Sequence, residues 1–151
     1  MSIGVISDTH GLLRAQALDA LRGSELILHA GDVGAEDVMH ELERIAPVVA
    51  VRGNVDLEAW AGRLPMVEFA SAGGKTFYIL HRIADLDLKP SAAGVDAVIF
   101  GHSHQPLIEW RDGVLYFNPG SAGPRRFSLP VTVGRIEIVD GTLRPEIIQL
   151  L

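Results

Sequence analysis

The stretch Ile3-Gly4-Val5-Ile6-Ser7-Asp8-Thr9-His10 decides how the rest of the chain is interpreted. Residues 3–6 form a short apolar run, and polar residues follow it directly. Such a run predicts a buried strand that is covered on both faces. In α/β sheets the loops at the carboxyl ends of strands are the places that hold ligands. Asp8 and His10 therefore stand where a binding site is expected.

Three further short apolar runs predict buried strands, at residues 25–29, 48–51 and 95–100. Between the first three strands lie two stretches with apolar residues at helical spacing, residues 13–21 and 35–45. The order strand, helix, strand, helix, strand is typical of βαβ units, which build parallel sheets. The first third of the chain is thus predicted to be α/β.

The rest of the chain shows three hairpin patterns, in which two runs of strand residues flank a short loop with glycine. The paired runs are residues 66–70 with 76–81, 107–110 with 114–117, and 131–139 with 143–150. Antiparallel pairs that follow a parallel unit indicate two packed sheets with helices outside. The 151 residues are enough for one well-formed core, so we expect a single domain over residues 1–151.

Composition narrows the function classes. Hydrophobic residues make up 48% of the chain and the formal net charge is −6, which argues against nucleic acid or an anionic membrane as a default partner. There is no cysteine, which excludes disulfides, thiolate zinc sites and a thiol nucleophile. The first residues lack the basic and long apolar regions of a signal peptide, and no apolar run reaches membrane-spanning length. We expect a cytoplasmic protein.

Residues that can bind metal ions follow several of the predicted strands. They are Asp8, His10, Asp32, Asn54, His81, His102 and His104. Carboxylate and amide oxygens mixed with imidazole nitrogens suit manganese, iron, zinc or nickel better than calcium or magnesium alone. Each short motif has an ordinary structural explanation, such as a helix cap or a turn. Their joint occurrence at strand ends, in this order, makes coincidence a poor explanation.

This set of residues resembles that of the calcineurin-like metallophosphoesterases, and most closely their small single-domain bacterial and archaeal phosphodiesterases. The motifs extend from Ser7 to Ser121, and Asn118-Pro119-Gly120-Ser121 matches the same branch. The resemblance implies an α/β (α+β) fold, a four-layer sandwich of two mixed β-sheets flanked by helices. It also implies hydrolysis of a small phosphoester substrate, with a phosphodiester preferred.

The resemblance implies specific roles for these residues. Asp8, His10 and His104 would hold one divalent metal, Asn54, His81 and His102 a second, and Asp32 would bridge the two. Asp32, Asn54 and His102 are thereby the predicted catalytic residues. The implied cofactors are two divalent ions per chain, Mn²⁺ first, with Ni²⁺, Zn²⁺, Fe²⁺ or Mg²⁺ as alternatives. Two such ions activate water and clamp the phosphoryl oxygens.

Two positions depart from the family pattern. Larger members follow the asparagine ligand with a histidine that is thought to protonate the leaving group, and this chain has Val55 there. The adjacent Asp56 could supply a proton instead, or it could cap a helix that begins at Leu57. Small members often have glycine after the His81 position, where this chain has Arg82. Without a dedicated acid, the enzyme should favour leaving groups that depart as stable anions.

Arginines and histidines outside the ligand set have open roles. Arg82 and Arg125 are candidate substrate contacts, and a plain surface charge is the alternative for each. His29 could orient a ligand from behind or be an ordinary buried strand histidine, and His40 is expected to face solvent.

Two other functions stay open at this stage. One is a non-catalytic scaffold, because the same fold serves as a subunit of eukaryotic membrane-trafficking coats. The complete set of seven ligand-type residues argues against it. The other is a phosphomonoesterase or nucleotide pyrophosphatase of the same superfamily, which needs more positive charge than the motif loops offer. A homodimer or homotetramer is also open, because exposed hairpins offer free strand edges.

Overall fold

A computed structural model describes residues 1–151, and its first sheet begins with the predicted parallel unit. Strands β1 (Ser2–Ile6), β2 (Leu26–His29) and β3 (Val48–Ala50) are parallel neighbours. Helices α1 (Ala15–Leu21) and α2 (Glu36–Glu43) connect them. Each element lies within one to three residues of its predicted bounds.

The carboxyl-terminal hairpin completes this first sheet. β9 (Thr132–Val139) pairs antiparallel with β1, and β10 (Thr142–Gln149) pairs antiparallel with β9, so the strand order is β10-β9-β1-β2-β3. The hairpin turns at Asp140 and Gly141, whose φ angles of 51° and 75° suit a tight two-residue connection. A sheet with both parallel and antiparallel neighbours results.

The second sheet is also mixed and has the order β4-β5-β6-β8-β7. Its strands are β4 (Val67–Ala72), β5 (Lys75–Leu80), β6 (Ala97–Ile99), β7 (Leu107–Arg111) and β8 (Val114–Asn118). β5, β6 and β8 are parallel, whereas the edge strands β4 and β7 run antiparallel to their neighbours. The first hairpin turns at Gly73-Gly74, so its strands extend further than predicted.

The largest cluster of the apolar core lies between the two sheets. Fully buried side chains from both sheets meet there, for example Ile3 and Leu28 of the first and Phe77 and Phe117 of the second. Burial of such side chains contributes about 1.5–3 kcal/mol each. The outer face of the first sheet packs against α1 and α2 through residues such as Leu21 and Leu42.

The two mixed sheets and the helices on the first one confirm the predicted fold class. The outer face of the second sheet departs from the predicted four-layer sandwich, because no α-helix covers it. Tyr78, Val98 and Tyr116 are buried there against Leu86 and Leu88, which belong to an irregular segment that contains the 3₁₀ helix Ile83–Asp85. The longer of the two α-helices has eight residues, and no helix could cross a bilayer.

Candidate metal centre

Backbone hydrogen bonds join the loop after β1 to the loop after β2, and the loop after β5 to the loop after β6. The amide of Asp8 donates to the carbonyl of Gly31 (3.0 Å), and the amide of His10 donates to that of Asp32 (2.9 Å). The amide of Gly101, which follows β6, donates to the carbonyl of His81 (2.9 Å). These bonds hold residues 20 to 23 positions apart side by side, and the His102 amide, which donates to the Asp8 carboxylate, links the two pairs of loops.

Five of the seven predicted ligands have left-handed backbone conformations. They are Asp8, His10, Asp32, His102 and His104, with φ between 47° and 72°. This region is uncommon for residues other than glycine, although aspartate and histidine are enriched in it. Such strain persists where the surrounding structure holds it, and it concentrates at functional sites.

The Asp8 carboxylate lies at the middle of the cluster and is completely buried. Its Oδ2 accepts hydrogen bonds from the Ser7 hydroxyl (2.7 Å) and the His102 amide (3.1 Å). Its Oδ1 has no hydrogen bond and faces three imidazole nitrogens. These are the Nε2 atoms of His104 (3.4 Å), His10 (3.8 Å) and His81 (3.8 Å).

The Asp32 carboxylate faces the same space with one oxygen. Its Oδ1 accepts a hydrogen bond from the Val55 amide (2.9 Å). Its Oδ2 lies 3.2 Å from His81 Nε2 and 3.7 Å from His10 Nε2. His10 Nε2 and His81 Nε2 therefore each lie within 3.8 Å of the same two carboxylate oxygens, one from each aspartate.

The remaining two histidines extend this arrangement on either side. The His104 ring lies 5.4 Å from that of His10, and the His102 ring lies 5.2 Å from that of His81, measured between ring centroids. His81 Nδ1 donates to the carbonyl of Ala30 (2.8 Å), which leaves its Nε2 free to bind a metal. The structure thus has one histidine pair beside each flank of the carboxylates.

The donor atoms are suited to a metal ion. Asp8 Oδ1, His10 Nε2 and His81 Nε2 are buried and have no hydrogen-bond partner, which is costly unless another group binds them. Two groups have their ligand atoms within 4.8 Å of one another: Asp8, His10 and His104, and Asp8, Asp32 and His81. Carboxylate oxygen with imidazole nitrogen is a typical ligand set for a divalent transition metal.

The charge state of the metal-free cluster also favours cation binding. Burial raises the pKa of Asp8, but His104, His81 and Ser7 outweigh it and hold that pKa below its usual range. Burial likewise raises the pKa of Asp32, but the nearby His81 imidazole and a hydrogen bond from the Val55 amide help to lower it to about 2. Burial lowers the pKa of His81, whereas Asp32 and Asp8 raise it by more. Metal binding at His81 would therefore compete with protonation of its ring.

Asn54 and His102 differ from the other predicted ligands because they are exposed. Asn54 lies together with His81 on the wall of a cavity of 590 Å³. The amide side chain of Asn54 makes no hydrogen bond to protein, so its oxygen is available. The centre thus opens to solvent on the side of Asn54 and His102, which is where a substrate would approach.

Asp56 has neither of its two predicted roles. Its carboxylate accepts hydrogen bonds from the amides of Val33 (3.1 Å), Gly34 (2.9 Å) and Gly53 (2.9 Å), and the residue is 2% exposed. The next helix is a 3₁₀ helix that begins at Ala59, with Glu58 before it as the capping residue. Asp56 therefore ties the loop of Asn54 to the loop of Asp32, and although it lies on the cavity wall, both of its carboxylate oxygens are occupied by backbone amides.

His29 supports the site from behind. It is fully buried, its Nδ1 accepts a hydrogen bond from the Gly31 amide (3.1 Å), and its Nε2 lies 3.0 Å from Thr9 Oγ1. Thr9 in turn donates to the carbonyl of Val33 (2.8 Å). Because Nδ1 accepts, Nε2 must carry the proton, and burial lowers the His29 pKa to about 4. In this neutral form His29 holds the loop of Asp8 through Thr9 and the loop of Asp32 through Gly31.

The Asn118-Pro119-Gly120-Ser121 motif braces the histidine loop. Asn118 Nδ2 donates to the carbonyl of Gly101 (3.1 Å) and to Ser103 Oγ (3.2 Å). The Ser121 hydroxyl donates to the carbonyl of Asp8 (3.1 Å).

The sequence analysis overlooked the role of Ser7 in orienting Asp8, and its place directly before the aspartate was the only available signal.

The two arginines predicted as substrate contacts lie in different surroundings. Arg82 lines the cavity, but its Nε pairs with Asp85 (3.4 Å). Arg125 is exposed on the loop that follows Ser121. Arg52, which was not selected as a substrate contact, also lines the cavity, and its guanidinium has no carboxylate within salt-bridge distance. His40 is exposed and pairs with Glu36 on α2 (3.4 Å), as predicted for a residue facing solvent.

Comparison with known proteins agrees with this geometry. Residues 1–141 match the model of the calcineurin-like phosphoesterase superfamily domain. A probable metallophosphoesterase of Methanothermobacter thermautotrophicus is 40% identical, over 91% of this chain and 87% of that protein. The phosphodiesterase YfcE of Escherichia coli is 27% identical, over 91% of this chain and 88% of its own.

Solved structures share the fold. The structure of an archaeal phosphodiesterase superposes with a TM-score of 0.82 at 25% identity, over 98% of this chain and 100% of that one. Vps29 of Entamoeba histolytica in complex with zinc superposes with a TM-score of 0.73 at 22% identity, over all of both chains, which shows a common fold alone. With the family match over most of its length, the chain belongs to the calcineurin-like phosphoesterase superfamily.

Proposed function

We propose that this protein is a phosphodiesterase that uses two divalent metal ions. The observation that carries the proposal is the pair of carboxylate oxygens, Asp8 Oδ1 and Asp32 Oδ2, each of which lies within 3.8 Å of both His10 Nε2 and His81 Nε2. A carboxylate between two clusters of neutral ligands is suited to hold two cations close together, because it offsets their repulsion. The names of the relatives support the choice of a phosphodiester.

In this proposal the ligands are divided as the family resemblance implies. Asp8, His10 and His104 would hold one ion, Asn54, His81 and His102 would hold the other, and Asp32 would be shared between them. Two ions held in this way supply Lewis acidity that activates water and neutralises charge on the phosphoryl group. The protein's own part is to orient these side chains, through Ser7, Ala30 and the Val55 amide. We propose Mn²⁺ as the preferred ion.

The surroundings favour a diester with a good leaving group. Val55 cannot transfer a proton, and all of the hydrogen bonds of Asp56 come from backbone amides. No acid therefore assists the leaving oxygen from this loop, so rates should rise as the leaving-group pKa falls. A phosphomonoester carries one more negative charge than a diester and would need an additional cation. Because Arg52 is the one unpaired arginine that lines the cavity, the diester is favoured.

The decisive experiment uses metal-stripped protein and bis(p-nitrophenyl) phosphate. Mn²⁺, Ni²⁺, Zn²⁺ and Mg²⁺ are added back singly, and both turnover and bound metal per chain are measured. We expect turnover that requires metal, together with the loss of bound metal in Asp32→Ala and of turnover in His102→Ala. His40→Ala is the matched control, because His40 is exposed on α2. Wild-type turnover by Asp32→Ala would refute the proposal.

The same experiment separates the enzyme from the scaffold alternative. A protein that binds two ions tightly and hydrolyses no diester with any of them would be a metal-binding scaffold of this fold.

We further propose that residues 1–151 act as one domain in the cytoplasm, which the absence of cysteine supports. The exposed Phe69 on edge strand β4 and Trp110 on edge strand β7 support self-association into a dimer or tetramer. Sedimentation analysis would measure that state directly.

A further inference from the structure

A cavity of 590 Å³ opens directly beside the metal centre. His81 and Asn54 form part of its wall, so the cavity and the metal centre share two residues. The rest of the wall comes from the 52–67 segment, from the end of β5 and from the residues after His81. Its volume falls within the range of about 300–1,000 Å³ that small-molecule sites occupy.

Much of the wall is apolar although it faces water. Leu57, Met66 and Val67 line the cavity and are 86%, 57% and 42% exposed, and the buried Leu80 lies beneath them. Apolar side chains that gather around a concave site are typical of ligand pockets, because a ligand's apolar surface removes them from water.

The charges on the wall argue against a highly charged occupant. Arg82 is paired with Asp85, and Glu58 accepts a hydrogen bond from Trp60 Nε1 (3.2 Å). Arg52 is the one unpaired cation of the wall, and its flat guanidinium can stack on an aromatic ring. The cavity therefore offers apolar contacts and one planar cation.

We propose that this cavity is a specificity subsite that binds one of the two esterifying groups of the phosphodiester, and that it selects a flat apolar group such as an aryl ring or a nucleobase. The inference rests on the proposed function, since it takes the phosphoryl group to lie over the metal centre. With that group beside His81 and Asn54, one ester substituent extends into the cavity and the other points to solvent.

Gly62 allows the cavity to be filled without disturbing the fold. It lines the cavity, its φ is not in the left-handed region, and a Cβ added there would meet no atom within 4 Å. Gly62→Phe should therefore occupy the subsite with its own ring. Gln16→Phe is the matched control, because it adds the same ring at an exposed position on α1, away from the cavity wall.

Two substrates with the same p-nitrophenolate leaving group then measure how strongly the enzyme selects an aryl over a methyl substituent. The ratio of kcat/KM for bis(p-nitrophenyl) phosphate to that for methyl p-nitrophenyl phosphate is determined in each protein. The intrinsic reactivity of the two esters cancels when the ratios are compared between proteins. We expect the ratio to fall about tenfold in Gly62→Phe, as for the loss of one well-filled apolar pocket, and to be unchanged in Gln16→Phe. An unchanged ratio in Gly62→Phe would overturn the inference.

A binding measurement tests the same cavity without catalysis. The chain has three methionines, and Met66 is the only one on the cavity wall. In metal-free protein labelled with [¹³C-methyl]methionine, diphenyl phosphate should shift the Met66 signal and leave those of Met1 and Met39 in place. A Met66 signal that does not move, or three signals that move alike, would contradict the proposed subsite.

These readouts distinguish the failure of the two proposals. If the wild type hydrolyses neither diester with any metal, the proposed function fails, while the Met66 titration still decides whether the cavity binds aryl groups. If both diesters are hydrolysed and the ratio is insensitive to the cavity, only the subsite fails. Should Gly62→Phe not fold, Leu57→Asp replaces it, because Leu57 is 86% exposed and contributes little to the core.

Discussion

Replacing Asp56 tests whether the centre depends on a buried carboxylate that joins two of its loops. The Asp56 side chain accepts three backbone hydrogen bonds, at 3.1, 2.9 and 2.9 Å, from Val33, Gly34 and Gly53. Asp56→Ala removes all three and leaves the amide of the fully buried Val33 without a partner. The loops of Asp32 and Asn54 then lose their main connection.

The expected loss can be worked out from these contacts. Hydrogen bonds to a charged group contribute about 1.5–3 kcal/mol each, and neighbouring bonds are not additive. We therefore expect Asp56→Ala to lower the free energy of unfolding by about 4 kcal/mol. Asp56→Asn keeps one side-chain oxygen as a hydrogen-bond acceptor. It replaces the other oxygen with an NH₂ group, which cannot accept a hydrogen bond from the backbone N–H that faces it. Its loss should be smaller, about 2 kcal/mol.

Urea unfolding of the metal-free proteins measures both values, with Asp87→Ala as the control. Asp87 is exposed and its carboxylate makes no hydrogen bond, so this variant should stay within about 0.5 kcal/mol of the wild type. If Asp56→Ala unfolded like the wild type and lost only turnover with poor leaving groups, the reasoning would be refuted. Asp56 would then act as a proton donor.

Three further results are expected. Gly101→Ala should lower metal affinity at least tenfold in calorimetric titration, because its Cβ would overlap Ser7 Oγ and lie 2.7 Å from Asp8 Oδ2. Wild-type affinity would contradict this. The folded-state pKa of His29 is about 4, below its usual value, so the unfolded state binds this proton first as pH falls from about 6.5. The His29 contribution to stability should fall by about 2 kcal/mol from pH 7 to pH 5, seen as a steeper decline in the wild type than in His29→Gln, and parallel declines would refute it. Metal at a hundred times its dissociation constant should stabilise the fold by about 2.7 kcal/mol in thermal unfolding, and no shift would contradict a preformed site.

The strands and hairpins could be predicted because their signals are local. Short β-branched runs bounded by glycine and aspartate mark β1, β2 and β6, and Asp140-Gly141 marks a tight turn. The cover of the second sheet could not be predicted in this way. Residues 83–95 have no regular period, and they are ordered by Leu86 and Leu88 packing against a sheet face that is formed by distant strands.

The candidate site, like the fold, was predictable from the sequence only in part. The sequence by itself identified five residues that gather at the centre, because metal-binding side chains at strand ends converge once the strands are parallel neighbours; they are Asp8, His10, Asp32, His81 and His104. Only the tertiary structure decided the roles of Asp56 and Arg52, since each depends on which loops meet. The amides that Asp56 accepts from include those of Val33 and Gly34, more than 20 positions away. Residue type and spacing identify donors to a metal, whereas long-range contacts decide which neighbouring groups hold those donors and which face the substrate.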